Sequence, residues 1–214
     1  SIEPDKELLS YLKTEHESTL AYVNKAIGTS TEEWNAKEGR MKDTPIVDLI
    51  NKVQMETTGS DLSSSSLFNE NVIIHKGNVS IANIESLYIY ENTLCSIKIT
   101  GKKLREYLEY SAKYYTYENG KLGTNKTVPG YNYDIVSGVD YKIDVEKPIG
   151  SRIVSLKYKG TDVTDDMTFT MALNNYRQNG GGGYAMIKDS PVIYNKFESI
   201  RDLLIKYVQK KGTI

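Results

Sequence analysis

Apolar residues recur along the chain with two periods, and the change from one to the other outlines the fold. Leu8, Leu9, Leu12, Leu20, Tyr22, Val23 and Ile27 fall at helical spacing, which predicts a helix over 5–28 that starts at Pro4-Asp5 and stops at Gly28. Thr29 to Gly39 is polar and reads as a loop. A second helix is predicted over Thr44–Thr57, with Pro45 in its first turn, Ile46, Val47, Leu49, Ile50 and Val53 on one side, and Gly59 as its end. Asp61 to Ser66 is serine-rich and reads as a solvated loop.

Beyond this point the period shortens. Asn71–Ile74 predicts a strand, Gly77 a turn, and Val79 to Leu87 a short helix or turn leading into Tyr88-Ile89-Tyr90. Cys95, Ile97 and Ile99 alternate with polar residues, the mark of a half-buried strand over Cys95–Thr100. After Gly101, Leu104, Tyr107, Leu108, Ser111 and Tyr115 return to helical spacing over 102–115. Thr116–Pro129 reads as a long polar loop. Strands are predicted over Tyr133–Val136, Asp140–Val145, Arg152–Tyr158 and Thr168–Leu173. An irregular loop follows over Asn174–Gly183, then a last helix over Lys196–Lys210 with Phe197, Ile200, Leu203, Leu204 and Val208 on one side. The class is α+β, with helices packed on a mixed sheet.

Composition narrows the function. With 27 Lys plus Arg against 28 Asp plus Glu among 214 residues, no basic stripe exists to track a nucleic-acid backbone. The single cysteine, Cys95, excludes an internal disulfide and a cysteine-based zinc site, and its alternation with apolar neighbours places it in the core. No apolar run approaches the ~20 residues of a membrane span. The start at Ser1, without Met, a basic segment or an apolar stretch, shows no signal peptide and is what a processed or partial chain would have.

The chemistry of a self-sufficient hydrolase is missing. Only two histidines are present, His16 within the first helix and His75 at a strand end, and neither belongs to a His/Asp cluster of the kind a two-metal site uses. Ser63 to Ser66 lie in no nucleophile elbow, and the glycines 180–183 are not followed by the Lys-Ser/Thr of a phosphate loop. No catalytic residue and no metal ligand is therefore assigned to this chain.

What is present is tyrosine, 17 against three Phe and one Trp. Two tyrosines sit beside asparagines in loops: Tyr90 in Leu87-Tyr88-Ile89-Tyr90-Glu91-Asn92-Thr93-Leu94, and Tyr176 in Asn174-Asn175-Tyr176-Arg177-Gln178-Asn179, ahead of the glycines. A ring beside a carboxamide can stack on a nucleobase and bond its edge, and such stacking contributes ~1–3 kcal/mol per base. From spacing alone two readings stand: a base sandwich, or ordinary core tyrosines with glycines making a turn.

These loops, with Gly39-Arg40-Met41-Lys42-Asp43-Thr44-Pro45, Ile99-Thr100-Gly101-Lys102-Lys103-Leu104, Pro129-Gly130-Tyr131-Asn132-Tyr133-Asp134, Ser137-Gly138-Val139-Asp140-Tyr141 and Pro148-Ile149-Gly150-Ser151-Arg152-Ile153, make the chain resemble the C-terminal domain of the 5'-nucleotidase family. The likeness is strongest to the bacterial 2',3'-cyclic-nucleotide 2'-phosphodiesterase/3'-nucleotidase branch. It implies a linker helix and loop over 1–35, near His16-Glu17-Ser18-Thr19 and Tyr22-Val23, and a nucleoside-binding domain over 36–214. It further implies that Tyr90 and Tyr176 sandwich the base, that Asn92 bonds it, and that Asn175, Gly181 and Gly182 belong to the same binding loop. Arg40 would take the place of an arginine that reaches phosphate, and Gly138 that of the glycine in a central Ser-Gly pair. Two divalent metals and a catalytic His–Asp pair would belong to an N-terminal metallophosphoesterase domain outside this chain, which would rotate against this one. No cofactor is expected on this domain, and the isolated domain is expected to be inactive. The substrates implied are 2',3'-cyclic nucleotides and 3'-nucleotides. The location implied is extracellular, periplasmic or at the cell wall.

The departures point the same way. Leu67-Phe68-Asn69-Glu70-Asn71-Val72-Ile73 replaces the phosphate-contacting Asn-Gly-Gly-Gly-Ile-Arg of 5'-nucleotidases, Gly182 replaces an acidic residue, and both aromatics are Tyr rather than Phe. Two alternatives remain at this level: a 5'-nucleotidase C-terminal domain, or a planar-ligand or interaction module of a surface protein.

Overall fold

In the computed structural model, which describes residues 3–214, the first helix is shorter than its pattern suggests. Helix α1 (Lys6–Val23) is capped by the Asp5 carboxylate, which accepts from the Glu7 amide at 2.9 Å, and it ends at Asn24. Ala26–Ser30 is not helix but strand β1, followed by the short β2 (Trp34–Asn35) where a loop was expected. Ile27 alone could not settle the period. The pairing partner does, because β1 lies antiparallel to a distant strand, with Ala26 opposite Ser80 and Ser30 opposite Gly77. No α1 residue is buried; Leu8, Leu9, Tyr11, Leu12, Leu20 and Tyr22 are all exposed.

Helix α2 (Pro45–Thr58) agrees with its pattern and ends in a left-handed Gly59. The serine run is the largest correction. Instead of a solvated loop it forms β3 (Leu62–Ser66), every residue of which is buried. Its hydroxyls are paired rather than hydrated: Ser63 Oγ donates to Asn51 Oδ1 at 2.9 Å and accepts from Gln54 Nε2 at 2.8 Å, while Ser64 Oγ meets the Tyr107 hydroxyl at 2.9 Å. A buried polar group is tolerated when it is hydrogen-bonded, and α2 supplies the partners for Ser63.

Then come β4 (Ile73–Ile74), β5 (Gly77–Ser80), α3 (Ile81–Leu87) with a Ser80/Asn83 capping box, β6 (Thr93–Thr100) and α4 (Gly101–Ser111). The expected loop at 116–129 begins as a hairpin, β7 (Tyr115–Glu118) and β8 (Lys121–Thr124), turned by Asn119-Gly120, both at positive φ. Asn-Gly is the favoured pair for that turn, so the signal was there to be read. Strands β9 (Asp134–Ser137), β10 (Asp140–Ile143), β11 (Ile153–Tyr158) and β13 (Thr168–Asn174) follow the predicted runs closely, whereas the two-residue β12 (Thr161–Asp162) was not expected. The expected loop after β13 contains a helical turn, α5 (Asn175–Gln178). The expected last helix is divided: Val192–Ser199 is β14, and α6 spans Ile200–Lys211. Phe197, assigned to the helix's apolar side, instead projects from a bulge in β14 at φ 56°, 78% exposed.

The central sheet is mixed, in the order β14-β6-β13-β3-β9, and only β13 and β3 run parallel. Alternation along its strands feeds two cores. Leu94 and Ala172 face α2, α3 and α6 through Ile50, Val53, Ile84, Leu204 and Val208. Ile97, Ile99, Phe169 and Met171 face α4 through Leu104 and Leu108. Cys95 is buried, as its alternation predicted. The α+β class with a mixed sheet and packed helices holds.

Candidate functional site

Topology brings the two tyrosine loops together. Because β6 and β13 are antiparallel, with Leu94 opposite Asn174, the loop entering β6 and the loop leaving β13 lie at one end of the sheet. The Asn175 carboxamide ties them, accepting from the Thr93 amide at 3.1 Å. Strand β3 runs parallel to β13 and so delivers Leu67-Phe68 to that same end, and the antiparallel β9 is entered from it through Tyr131.

The four loops enclose a cavity of about 260 Å³ lined by Phe68, Tyr90, Asn92, Tyr131, Asn174, Tyr176 and Arg177. Tyr90 and Tyr176 are 40% and 50% exposed, so neither is the ordinary core tyrosine that spacing alone allowed. Phe68 meets Tyr90 edge-on at 5.1 Å and Tyr88 edge-on at 4.9 Å, which holds the Tyr90 ring in place. The volume lies just under the ~300–1,000 Å³ typical of small-molecule pockets, room for a ring system rather than a whole nucleotide.

Under the cavity floor lies a buried ion pair. Arg177 Nη2 lies 2.8 Å from Asp134 Oδ1 and Nε 3.0 Å from Oδ2, with both side chains almost wholly enclosed. Nη1 donates to Asn132 Oδ1 and to the Gly181 carbonyl, each at 3.1 Å, and Nη2 also donates to the Tyr131 carbonyl at 2.7 Å. All five guanidinium donors are thus engaged, so Arg177 shapes the cavity without a free donor to offer it. Asp134 also accepts from Ser64, Ser66 and Tyr107. Burial pushes the Asp134 carboxyl up, but the Arg177 charge and these hydrogen bonds outweigh it and hold it below the usual carboxylate range. Burial and the Asp134 charge push the Tyr107 hydroxyl well up, so it remains a donor.

The glycine loop closes over this pair. Gly182 sits at φ 70°, and a Cβ there would collide with Asn132 Oδ1 and Arg177 Nη1. Its carbonyl accepts from the Tyr110 hydroxyl at 3.0 Å.

Two predicted residues lie elsewhere. Arg40 is ion-paired to Glu70 at 2.6 Å and donates to the Leu67 carbonyl at 2.9 Å, one residue before Phe68. With Gly138 it lines a separate depression of about 490 Å³ that also carries Lys42, Asp43 and Asp48 and contains neither Tyr90 nor Tyr176. Gly138 is at φ 96°, where a Cβ would stand 2.5 Å from the Asp61 carbonyl oxygen; its need for glycine is a close chain crossing. Sequence reasoning assigned no role to Tyr131, Asn174 and Arg177, although each stands in a motif that carried the resemblance, and it counted Phe68 only as a departure. Among the described residues no group of three or more His, Cys, Asp or Glu could hold a metal ion, and no helix is long and apolar enough to cross a membrane.

Known proteins resemble this chain in sequence and fold. Residues 26–189 match the family model described as 5'-nucleotidase, C-terminal domain. The trifunctional nucleotide phosphoesterase protein YfkN of Bacillus subtilis is 26% identical, over 93% of this chain and 16% of its own length. A 2',3'-cyclic-nucleotide 2'-phosphodiesterase/3'-nucleotidase of Salmonella typhimurium is 28% identical, over 95% of this chain and 37% of its own. A Staphylococcus aureus chain assigned as a 5'-nucleotidase, crystallised with alpha-ketoglutarate, superposes with a TM-score of 0.85 at 26% identity, covering 97% of this chain and 41% of its own. This chain therefore spans well under half the length of these relatives.

Proposed function

This chain belongs to the family of 5'-nucleotidase C-terminal domains, and from that premise we propose that it is the base-binding half of a bifunctional 2',3'-cyclic-nucleotide 2'-phosphodiesterase/3'-nucleotidase. The observation that carries the proposal is the convergence of Tyr90, Tyr176 and Asn92 on one cavity of a size suited to a base. The tyrosine rings would stack on the two faces of the base, and Asn92 would bond its edge. Asn175 would hold the two loops in register, and Gly181 and Gly182 would let the second loop close over Arg177. Holding the base fixes where the attached phosphate lies, and such positioning supplies a large part of catalysis.

Arg40, taken up by Glu70 and the Leu67 carbonyl, has no hand in this scheme, which supports a half-site for the base rather than for phosphate. Phosphate chemistry belongs to an N-terminal metallophosphoesterase domain, where two divalent ions would supply Lewis acidity; no step is assigned to a metal on this chain. The apolar, uncovered α1 supports contact with that domain. The parent would act outside the cytoplasm, in the periplasm or at the cell wall.

Titration calorimetry with adenosine and 3'-AMP tests this reading. Tyr90→Ala and Tyr176→Ala should each weaken binding by ~1–3 kcal/mol while leaving the melting temperature nearly unchanged, because both rings are half exposed. Variants that melt early but bind as before would show the tyrosines to be structural and end the proposal. Metal-dependent phosphatase activity from the chain alone would contradict its role as a binding half.

A further inference from the structure

Arg201 lies outside the cavity, in the first turn of α6, yet its guanidinium closes on the loop that carries Tyr90. Nε donates to the Tyr88 carbonyl at 3.1 Å and Nη2 to the Ile89 carbonyl at 3.3 Å, while Nη1 lies 2.6 Å from Glu91 Oε1. One residue earlier, the Ile200 amide donates to the Asn92 carbonyl at 3.0 Å. Tyr88, Ile89, Glu91 and Asn92 are thus all tied to two adjacent residues of α6, and Tyr90 stands in the middle of the tied segment.

The clamp has a local origin. Helix α3 ends at its C-cap Tyr88, and carbonyls at a helix C-terminus have no partner within the helix. An arginine nearby can take them, and its flat fork reaches several acceptors at once, whereas a lysine ammonium is a point charge. Helix α6 does not depend on these contacts for its seat. Ile200, Leu204 and Val208 are fully buried in the same core as Ile84 and Leu87 of α3, while the Arg201 side chain stays 19% exposed. The opposite side of the cavity is held by other means, since Tyr176 precedes Arg177, which is locked to Asp134.

We propose that Arg201 is a positioning residue for ligand recognition: by clamping the backbone of 88–91 to α6 it holds Tyr90 and Asn92 opposite Tyr176 before a ligand arrives. The two sides of the cavity then have separate anchors, α6 for the Tyr90 loop and the Arg177–Asp134 pair for the Tyr176 loop. Without the clamp the Tyr90 loop occupies its binding position only part of the time, and the apparent affinity falls by that fraction. The proposal rests on the reading of the cavity as a base site, and deepens it by naming what sets the spacing of the two rings.

The test is calorimetric titration of adenosine into the chain and its variants. Arg201→Ala should weaken binding roughly 10-fold, the result of a loop in place about a tenth of the time, and lower the melting temperature by only a few degrees. Arg201→Lys, which keeps a charge near Glu91 but cannot span both carbonyls, should stay well short of the parent affinity. The loss caused by Arg201→Ala should shrink in a Tyr90→Ala background and persist in full with Tyr176→Ala, because only the first tyrosine rides on the clamped loop. Parent affinity in Arg201→Ala, full recovery in Arg201→Lys, or an equal loss in both tyrosine backgrounds would overturn the proposal, and a base site still weakened by Tyr90→Ala would survive it. If Arg201→Ala does not fold, Arg201→Lys decides alone: weaker binding at a near-parent melting temperature supports the clamp, and parent affinity overturns it. Failure of the parent chain to bind adenosine or any other nucleoside would instead overturn the site itself, and the clamp's role with it.

Discussion

Arg177 shapes the cavity more than either tyrosine does, although every one of its donors is already engaged. It ties Tyr131, Gly181 and Asn132 to one buried carboxylate, and so fixes the positions from which Tyr176 and the glycine loop project. Removing one partner of such a pair leaves a buried charge uncompensated, so Arg177→Ala or Asp134→Asn should cost about 3–5 kcal/mol in denaturant unfolding. Gly182→Ala should cost at least about 1–2 kcal/mol from left-handed backbone strain alone, before the collision with Arg177 is counted. A urea midpoint at the parent value would refute that. At this scale the sequence singled out Tyr90, Asn92 and Tyr176, which line the cavity, although spacing alone left them open between a base sandwich and core tyrosines. It did not disclose Phe68 or Arg177. Their roles depend on Tyr88, Tyr90 and Asp134, which other segments of the chain supply.

Among the elements, β3 and β9 form a polar seam along one edge of the sheet. Ser64 and Ser66 on one strand and Asp134 on the other share hydrogen bonds that in most sheets would be apolar contacts. The seam should answer to acid. The Asp134 carboxyl is held low in the folded chain, so its contribution is complete above the unfolded aspartate value of about 3.9 and is lost as pH falls through the folded value. Stability measured from pH 7 down to pH 2 should therefore fall steeply at the acid end, and Asp134→Asn should flatten that limb. The same seam explains the misreading of 61–66. Polarity marks a loop only when the hydroxyls face water, and here Asn51, Gln54, Tyr107 and Asp134 take water's place. The strands whose apolar residues alternate cleanly, β6 and β13, were legible. The division of the last helix was not, because Phe197 fits a helical stripe equally well on paper.

At the scale of the whole molecule, the core is complete without its first helix. No residue of α1 is buried, and the sheet and both cores are built from Ala26 onward. Deleting residues 1–23 should leave the thermal midpoint within a few degrees of the parent, about the shift produced by 1 kcal/mol in a domain of this size. A collapse of the fold would show that α1 stabilises it. The lack of packing of this segment was not legible in the sequence, since an amphipathic pattern does not say what lies opposite.

The uncovered α1 also governs how the chain behaves in crowded solution. A net charge of -1 gives copies little mutual repulsion, and each displays six large apolar side chains along one 18-residue rod. Colloidally, the chain carries an adhesive strip. Association should grow with concentration and with sulfate, retreat in mild detergent, and vanish with the helix, while the cavity, to which α1 contributes no lining residue, stays open throughout.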